Sequence, residues 1–230
     1  MKKFLNFLFL IIVILLLISG IYIYNGYSMY KKALDDYSIK DKVASIKSVE
    51  SYSRLEELPK IYINAVIAIE DHRFYKHNGI DVISIGRALY HDLKNKSFDE
   101  GGSTITQQLA KNIYFSQEKK IERKIAEVFM AFKLEHNLEK DEILELYLNT
   151  SYFGNGYYTV KEASMGYFSK EPAYMTDYES TLLAGIPNAP SIYGEDMNLA
   201  HERQKQILEL MVEYRYLSLE EKEKILEEIG

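Results

Sequence analysis

Glu70-Asp71-His72-Arg73-Phe74-Tyr75-Lys76-His77-Asn78-Gly79 follows directly on the apolar run Ala65-Val66-Ile67-Ala68-Ile69. The alanine-containing run from Ile61 to Ile69 reads as a buried helix, and it ends on an acid pair. The Glu70 carboxylate is therefore expected near apolar surface. Desolvation raises a carboxyl pKa and suits the group to acid–base work near neutrality. A helix end dressed with acid gives the same pair, and structural acids also have perturbed pKa values. His77-Asn78-Gly79 suggests a turn that folds back on the acids. His77 is open to three readings: a base, a metal ligand, or a buried hydrogen-bonded histidine. No second histidine stands at ligand spacing on a clear helix face.

Working outward, Gly101-Gly102-Ser103-Thr104-Ile105-Thr106-Gln107-Gln108-Leu109-Ala110-Lys111-Asn112 is the next informative stretch. Seven side chains that hydrogen-bond or carry charge fall in the ten residues from Ser103 to Asn112, more than a core needs. A Gly-Gly turn at 101–102 precedes Ser103, a plausible N-cap, and a helix runs through Gln107 to Asn112. Hydroxyls, amides and one cation at a helix start suit an anion, because free N–H groups and the helix dipole favour negative charge. The Gly-Lys-Ser/Thr ending of a Walker A loop is missing. An ordinary capped helix with a polar face remains the alternative.

Lys119, Lys120, Arg123 and Lys124 place four cations within six residues of a chain of net charge −6, a candidate anion site. Arg123 and Glu127 share a helical face, and beside these cations the Glu127 carboxylate is expected to stay ionised. A solvated charged helix has the same pattern.

The remaining segments supply an all-helical frame. Ile80, Ile83, Ile85, Ala88, Leu89 and Leu93 have helical spacing over residues 80–95. Helices are also expected over 121–136, 141–149 and 162–168. Another is opened by the capping box Thr176-Asp177-Tyr178-Glu179, and two charged amphipathic helices follow between Leu199 and Ile229, the second opened by Ser218-Leu219-Glu220-Glu221. Gly154 and Gly156 bracket Asn155 in a tight turn. The negative charge argues against a nucleic-acid binder. With no cysteine, disulfides, thiolate metal sites and cysteine nucleophiles are excluded.

Phe4 to Tyr24 is an apolar run broken by Asn6, Ser19 and Gly20, long enough for a bilayer core of about 20 residues. Lys2 and Lys3 precede it, so the positive-inside rule keeps the N-terminus cytoplasmic and places the rest of the chain outside. The alternative is a cleaved signal peptide. The run exceeds the usual apolar region of about 7–15 residues and shows no good small-x-small site, which favours a retained anchor. Residues 25–60 are polar and weakly periodic, and read as a juxtamembrane stalk.

Five segments in order resemble the peptidoglycan glycosyltransferases, the glycan-polymerising domains of class A penicillin-binding proteins and their stand-alone relatives. They are Glu70-Asp71-x-x-Phe74-x-x-His77-x-Gly79; Gly102-Ser103-Thr104-Ile105-Thr106-Gln107-Gln108 with Lys111-Asn112; Arg123-Lys124-x-x-Glu127; Glu142-Ile143-Leu144-Glu145-x-Tyr147-Leu148-Asn149 with Tyr152-Phe153-Gly154; and Leu182-Leu183-Ala184-Gly185 with Pro187-x-Ala189-Pro190. The resemblance implies a mainly α, lysozyme-like domain behind one transmembrane helix. Expected boundaries are a cytoplasmic tail at 1–3, an anchor at 4–24, a stalk at 25–54, the catalytic domain at 55–215 and a helical tail at 216–230, with no transpeptidase domain.

It also implies polymerisation of lipid II into glycan strands at the cell membrane. Glu70 resembles the catalytic base and Glu127 a second acid. Lys111, Arg123 and Lys124 fall where the lipid-linked pyrophosphate binds, with Ser103, Thr104, Gln107, Gln108 and His77 as further substrate-binding candidates. A divalent cation, Mg or Mn, is a candidate companion of the pyrophosphate, and other cell-wall synthesis proteins are candidate partners. Tyr167-Phe168-Ser169-Lys170 has serine where the family's Tyr-Phe-Gly-Lys has glycine, and the segment after Pro190 lacks the proline often found there. A lytic muramidase of similar fold and a scaffold with a decayed site are the rivals. The first would have no use for the cation cluster.

Overall fold

The computed structural model describes residues 2–95, 102–116 and 118–229, and no strand occurs among them. The architecture is helix on helix. The apolar segment forms α1 (Lys2–Asp36), followed by α2 (Ile39–Lys47). The buried run becomes α3 (Lys60–Glu70). It is followed by α4 (Val82–Asn95), α5 (Ile105–Tyr114), α6 (Ile121–Asn137) and α7 (Lys140–Leu148). The C-terminal half holds α8 (Val160–Phe168), α9 (Asp177–Gly185), the single turn α10 (Pro190–Tyr193), α11 (Met197–Glu213) and α12 (Leu219–Ile229).

α3 is the centre of the packing. Tyr62, Ala65, Val66, Ile67 and Ala68 are buried, and the helix packs against α9 and α11. On the other side of the core α5 packs between α6 and α7. Burial of this kind stabilises by roughly 25 cal/mol per Å² of apolar surface, enough for so apolar a helix to hold the domain centre.

Three expectations are corrected. The stalk assigned to residues 25–54 is built into the domain. α1 runs on as one helix to Asp36 and lies along α6. Lys47 pairs with Glu142 at 2.6 Å, and Asn149 receives the Ser53 N–H at 2.8 Å and donates back to the Ser53 carbonyl at 2.8 Å. Glu145 accepts the Tyr52 hydroxyl and the Leu55 N–H. The acid-and-tyrosine motif around α7 therefore fastens the entering chain. Likewise the tail from 216 is not separate: Ile225 is buried, α12 packs on α9 and α11, and Lys222 reaches Glu209 at 2.8 Å. The third correction is the α5 cap, which is Thr104 and not Ser103: its hydroxyl accepts from the Gln107 N–H while the Gln107 side chain accepts from the Thr104 N–H. Gly101, half of the expected Gly-Gly turn, lies outside the described residues.

The capping boxes expected at Thr176 and Ser218 are both formed. Gly154, Asn155 and Gly156 all have positive φ, at 80°, 52° and 84°. At Gly154 a Cβ would also stand 2.5 Å from the Pro190 carbonyl oxygen, so that turn needs glycine twice over.

Candidate active site

The acid pair divides its labour because α3 ends between its two members. Asp71 turns to the scaffold. Its Oδ2 accepts the Ile105 N–H at the start of α5 at 3.1 Å, and His77 Nε2 sits 2.9 Å away. Both residues are buried, so the pair ties the end of α3 to the start of α5. His77 does not line the cleft; its ring is spent on Asp71 and edges onto Phe74.

Glu70 turns to the cleft. Its Oε2 accepts from Gln108 Nε2 at 2.6 Å, and its Oε1 is buried without a partner. Burial raises its pKa; the Gln108 hydrogen bond and the charges of Arg203 and Lys111 act against that rise. The Tyr147 hydroxyl donates weakly to Gln108 Oε1 at 3.4 Å, which turns the amide so that its NH₂ faces the carboxylate.

α5 and α6 together build a cationic wall. Thr104 and Gln107 are buried and hold the start of α5; the Thr104 hydroxyl also donates to the Gly79 carbonyl at 2.6 Å. Ser103 holds Lys124, whose Nζ donates to Ser103 Oγ at 2.6 Å. Glu127 is 2% exposed and takes Arg123 on one oxygen and Lys124, at 3.0 Å, on the other. Arg123 also reaches back to the Glu118 carbonyl. Lys111 points into the same space from α5. Burial, then the charge of Arg123, lowers the Lys111 pKa. Burial, then Arg123 and Lys111, pulls Lys124 down to about 8, while its ion pair with Glu127 works the other way. Burial and neighbouring like charge both disfavour the cationic forms here, and an anion bound among them would favour those forms. Lys120 lies outside the cluster, exposed and paired with Glu118 at 2.6 Å.

The cleft encloses about 770 Å³. Glu70, Ser103, Thr104, Gln107, Gln108, Lys111, Arg123, Lys124 and Glu127 all line it. The opposite wall escaped sequence reasoning. It is made by Asn188, in the turn that follows α9, by Arg203 and Leu210 on α11 and by Tyr214 at its end. Arg203 Nε is buried with no partner. His72 stacks on Tyr214, ring centroids 4.5 Å apart. The available signal for Arg203 was a cation in register with Ile207 and Leu210 on the apolar side of α11. Among the described residues no three His, Asp or Glu side chains converge as a resident metal site.

The chain is 46% identical over 187 residues to penicillin-binding protein 1F of Bacillus subtilis (strain 168), covering 79% of this chain and 26% of that protein. It is 41% identical over 202 residues to penicillin-binding protein 1A of Neisseria lactamica, covering 86% of this chain and 25% of that one. The chain thus spans about a quarter of the length of these curated relatives. A crystal structure of penicillin-binding protein 1A from Haemophilus influenzae aligns over 76% of this chain and 17% of its own, with a TM-score of 0.45 and 23% identity. The family model described as Transglycosylase matches residues 40–212, starting inside the segment that the fold builds into the domain. With three-quarters of its length matched by that model, the chain belongs to the transglycosylase family.

Proposed function

We propose that this chain is a peptidoglycan glycosyltransferase that polymerises lipid II. The observation that carries the reading is the pairing, across one cleft, of a desolvated Glu70 with Lys111, Arg123 and Lys124. In the proposed step the donor is a glycan on undecaprenyl pyrophosphate and the acceptor is lipid II. The acceptor's sugar 4-hydroxyl attacks the donor's anomeric carbon and forms the new C–O bond. Glu70 takes the hydroxyl proton, which a poor nucleophile must lose as it attacks. The bond to pyrophosphate breaks, and its electron pair leaves as negative charge on the phosphate oxygens. Lys111, Arg123 and Lys124 stabilise that charge, Arg123 with a fork suited to phosphate. Direct attack inverts α to β and needs no covalent enzyme intermediate.

The other residues support these parts. Gln108 orients Glu70. Glu127 holds Arg123 and Lys124 together, Ser103 steadies Lys124, and His77 acts through Asp71 on the spacing of α3 and α5. A divalent cation would arrive on the pyrophosphate; Glu127, with both oxygens engaged, is not free to hold it, and the proposed steps do not run through it. α1, long and apolar enough to cross a membrane, keeps the domain beside a substrate whose lipid tail stays in the bilayer. Lys2 and Lys3 orient it with the N-terminus cytoplasmic and the domain outside.

Polymerisation of labelled lipid II by wild type and Glu70→Gln tests the assignment. The amide keeps size but cannot take the proton, so the rate should fall at least about 100-fold with folding intact. Near-normal polymerisation by Glu70→Gln would remove Glu70 as the base. Cleavage of preformed glycan without polymerisation would favour a lytic enzyme.

A further inference from the structure

The helix that carries the apolar run does not stop where the run stops. α1 is one unbroken helix, and its end beyond Tyr24 lies along α6. At Gly26 the two helices are in close contact. The glycine is buried, and a Cβ there would stand 2.6 Å from Ile125 Cγ2 and 2.9 Å from the Glu122 carbonyl oxygen. Beside it and one turn on, the rings of Tyr27 and Tyr30 pack against Phe129 at 5.3 and 5.8 Å. Glu122, Ile125 and Phe129 are three and four residues apart, so they form one face of α6. Arg123, Lys124 and Glu127 face away from α1 and line the cleft. A single helix thickness separates the anchor from the cations. Gly20, in the apolar part of the same helix, has nothing within 4 Å.

A tether needs only a flexible connection, rich in glycine, serine or proline. A stiff helix locked against the back of α6 is a different device. We propose that the segment Gly26–Tyr30 of α1 is a positioning element of the anion site: it fixes α6, and through α6 the placement of Arg123, Lys124 and Glu127 for a pyrophosphate. The inference rests on the transferase reading. Small displacements of such a wall matter because binding groups act within about 1 Å of their productive geometry.

The test uses this chain with α1 intact in detergent micelles, where tethering to a bilayer plays no part. KM and kcat for lipid II are measured for wild type, Gly26→Ala, Gly26→Leu and the control Gly20→Leu, with thermal melts to confirm folding. The Gly26 variants should raise KM by at least about fivefold, at the low end of what overpacking a close contact does, and lower kcat as well, because the same cations stabilise the leaving charge. Gly20→Leu should match wild type. Adding Ile125→Ala to Gly26→Ala removes the methyl that the new Cβ meets, and KM should recover in part. Amide exchange over residues 121–130 should quicken in the Gly26 variants alone. Where Gly26→Leu does not fold, Gly26→Ala carries the measurement. Wild-type KM and exchange in every folded Gly26 variant would overturn the inference, leaving α1 a tether. A wild type that turns over no lipid II would instead sink the transferase reading.

Discussion

Glu70 and Lys124 are displaced from their ordinary pKa values in opposite senses, and this gives the site a readable pH dependence. Burial holds the Glu70 pKa above the usual 4.5. As the proposed base, Glu70 must be ionised, so kcat/KM should fall as pH drops through that raised value, with the acid limb above 4.5. Lys124, at about 8, loses its charge as pH rises through that value, so kcat/KM should fall again on the alkaline side. Lys124→Arg keeps the cation, since a guanidinium stays protonated throughout the accessible pH range, and should abolish the alkaline limb even if the rate drops. An alkaline limb unmoved by that change would mean another group titrates there. Arg203 lowers the Glu70 pKa from across the cleft, so Arg203→Gln should move the acid limb upward. Rate–pH profiles in lipid II polymerisation measure all of these.

At the scale of elements, helix ends decide the geometry. Thr104 caps α5 and is also bonded to Gly79, whereas Ser103 only steadies a lysine. Thr104→Ala should cost about 1–2 kcal/mol in urea denaturation, the usual loss for such a cap, while Ser103→Ala should stay within about 0.5 kcal/mol. Equal losses would contradict this capping scheme. Ser169 ends α8 with φ 55°, in the left-handed region that glycine adopts at no steric cost. Its strain of roughly 1–2 kcal/mol exceeds the about 0.5–1 kcal/mol of extra chain entropy that a glycine loses on folding. Ser169→Gly should therefore stabilise by about 0.5–1 kcal/mol and leave polymerisation unchanged, because Ser169 lies outside the cleft lining. No gain in melting temperature would mean the strain is relieved in some other way.

At the scale of the whole molecule, the entering chain, the domain and the tail make one packed unit. α1 lies on α6, residues 52–55 on the end of α7, and α12 on α9 and α11. If α1 crosses the membrane as Lys2 and Lys3 direct, protease added to intact protoplasts should digest the domain. Full protection of the domain would reverse the proposed orientation. A mature N-terminus beyond residue 20 would show that the apolar run is removed.

Much of this organisation was legible in the chain. Helical spacing, capping boxes and the Gly154-Asn155-Gly156 turn are local properties, set by residues within one or two turns of one another, and the elements formed where those signals stood. Glu70, Lys111, Arg123, Lys124 and Glu127 were legible because each sits in a dense polar motif at a helix end or on one helical face. What stayed hidden was pairing across long separations. Polarity made residues 25–54 read as a stalk, yet their partners Glu142, Glu145 and Asn149 lie roughly 90 or more residues on, and only packing brings them together. His77 could be base, ligand or scaffold until the fold set its Nε2 on Asp71. Arg203 became part of the cleft only when α11 packed against α3, because the field that one side chain exerts on another depends on distance in space, which sequence spacing does not encode.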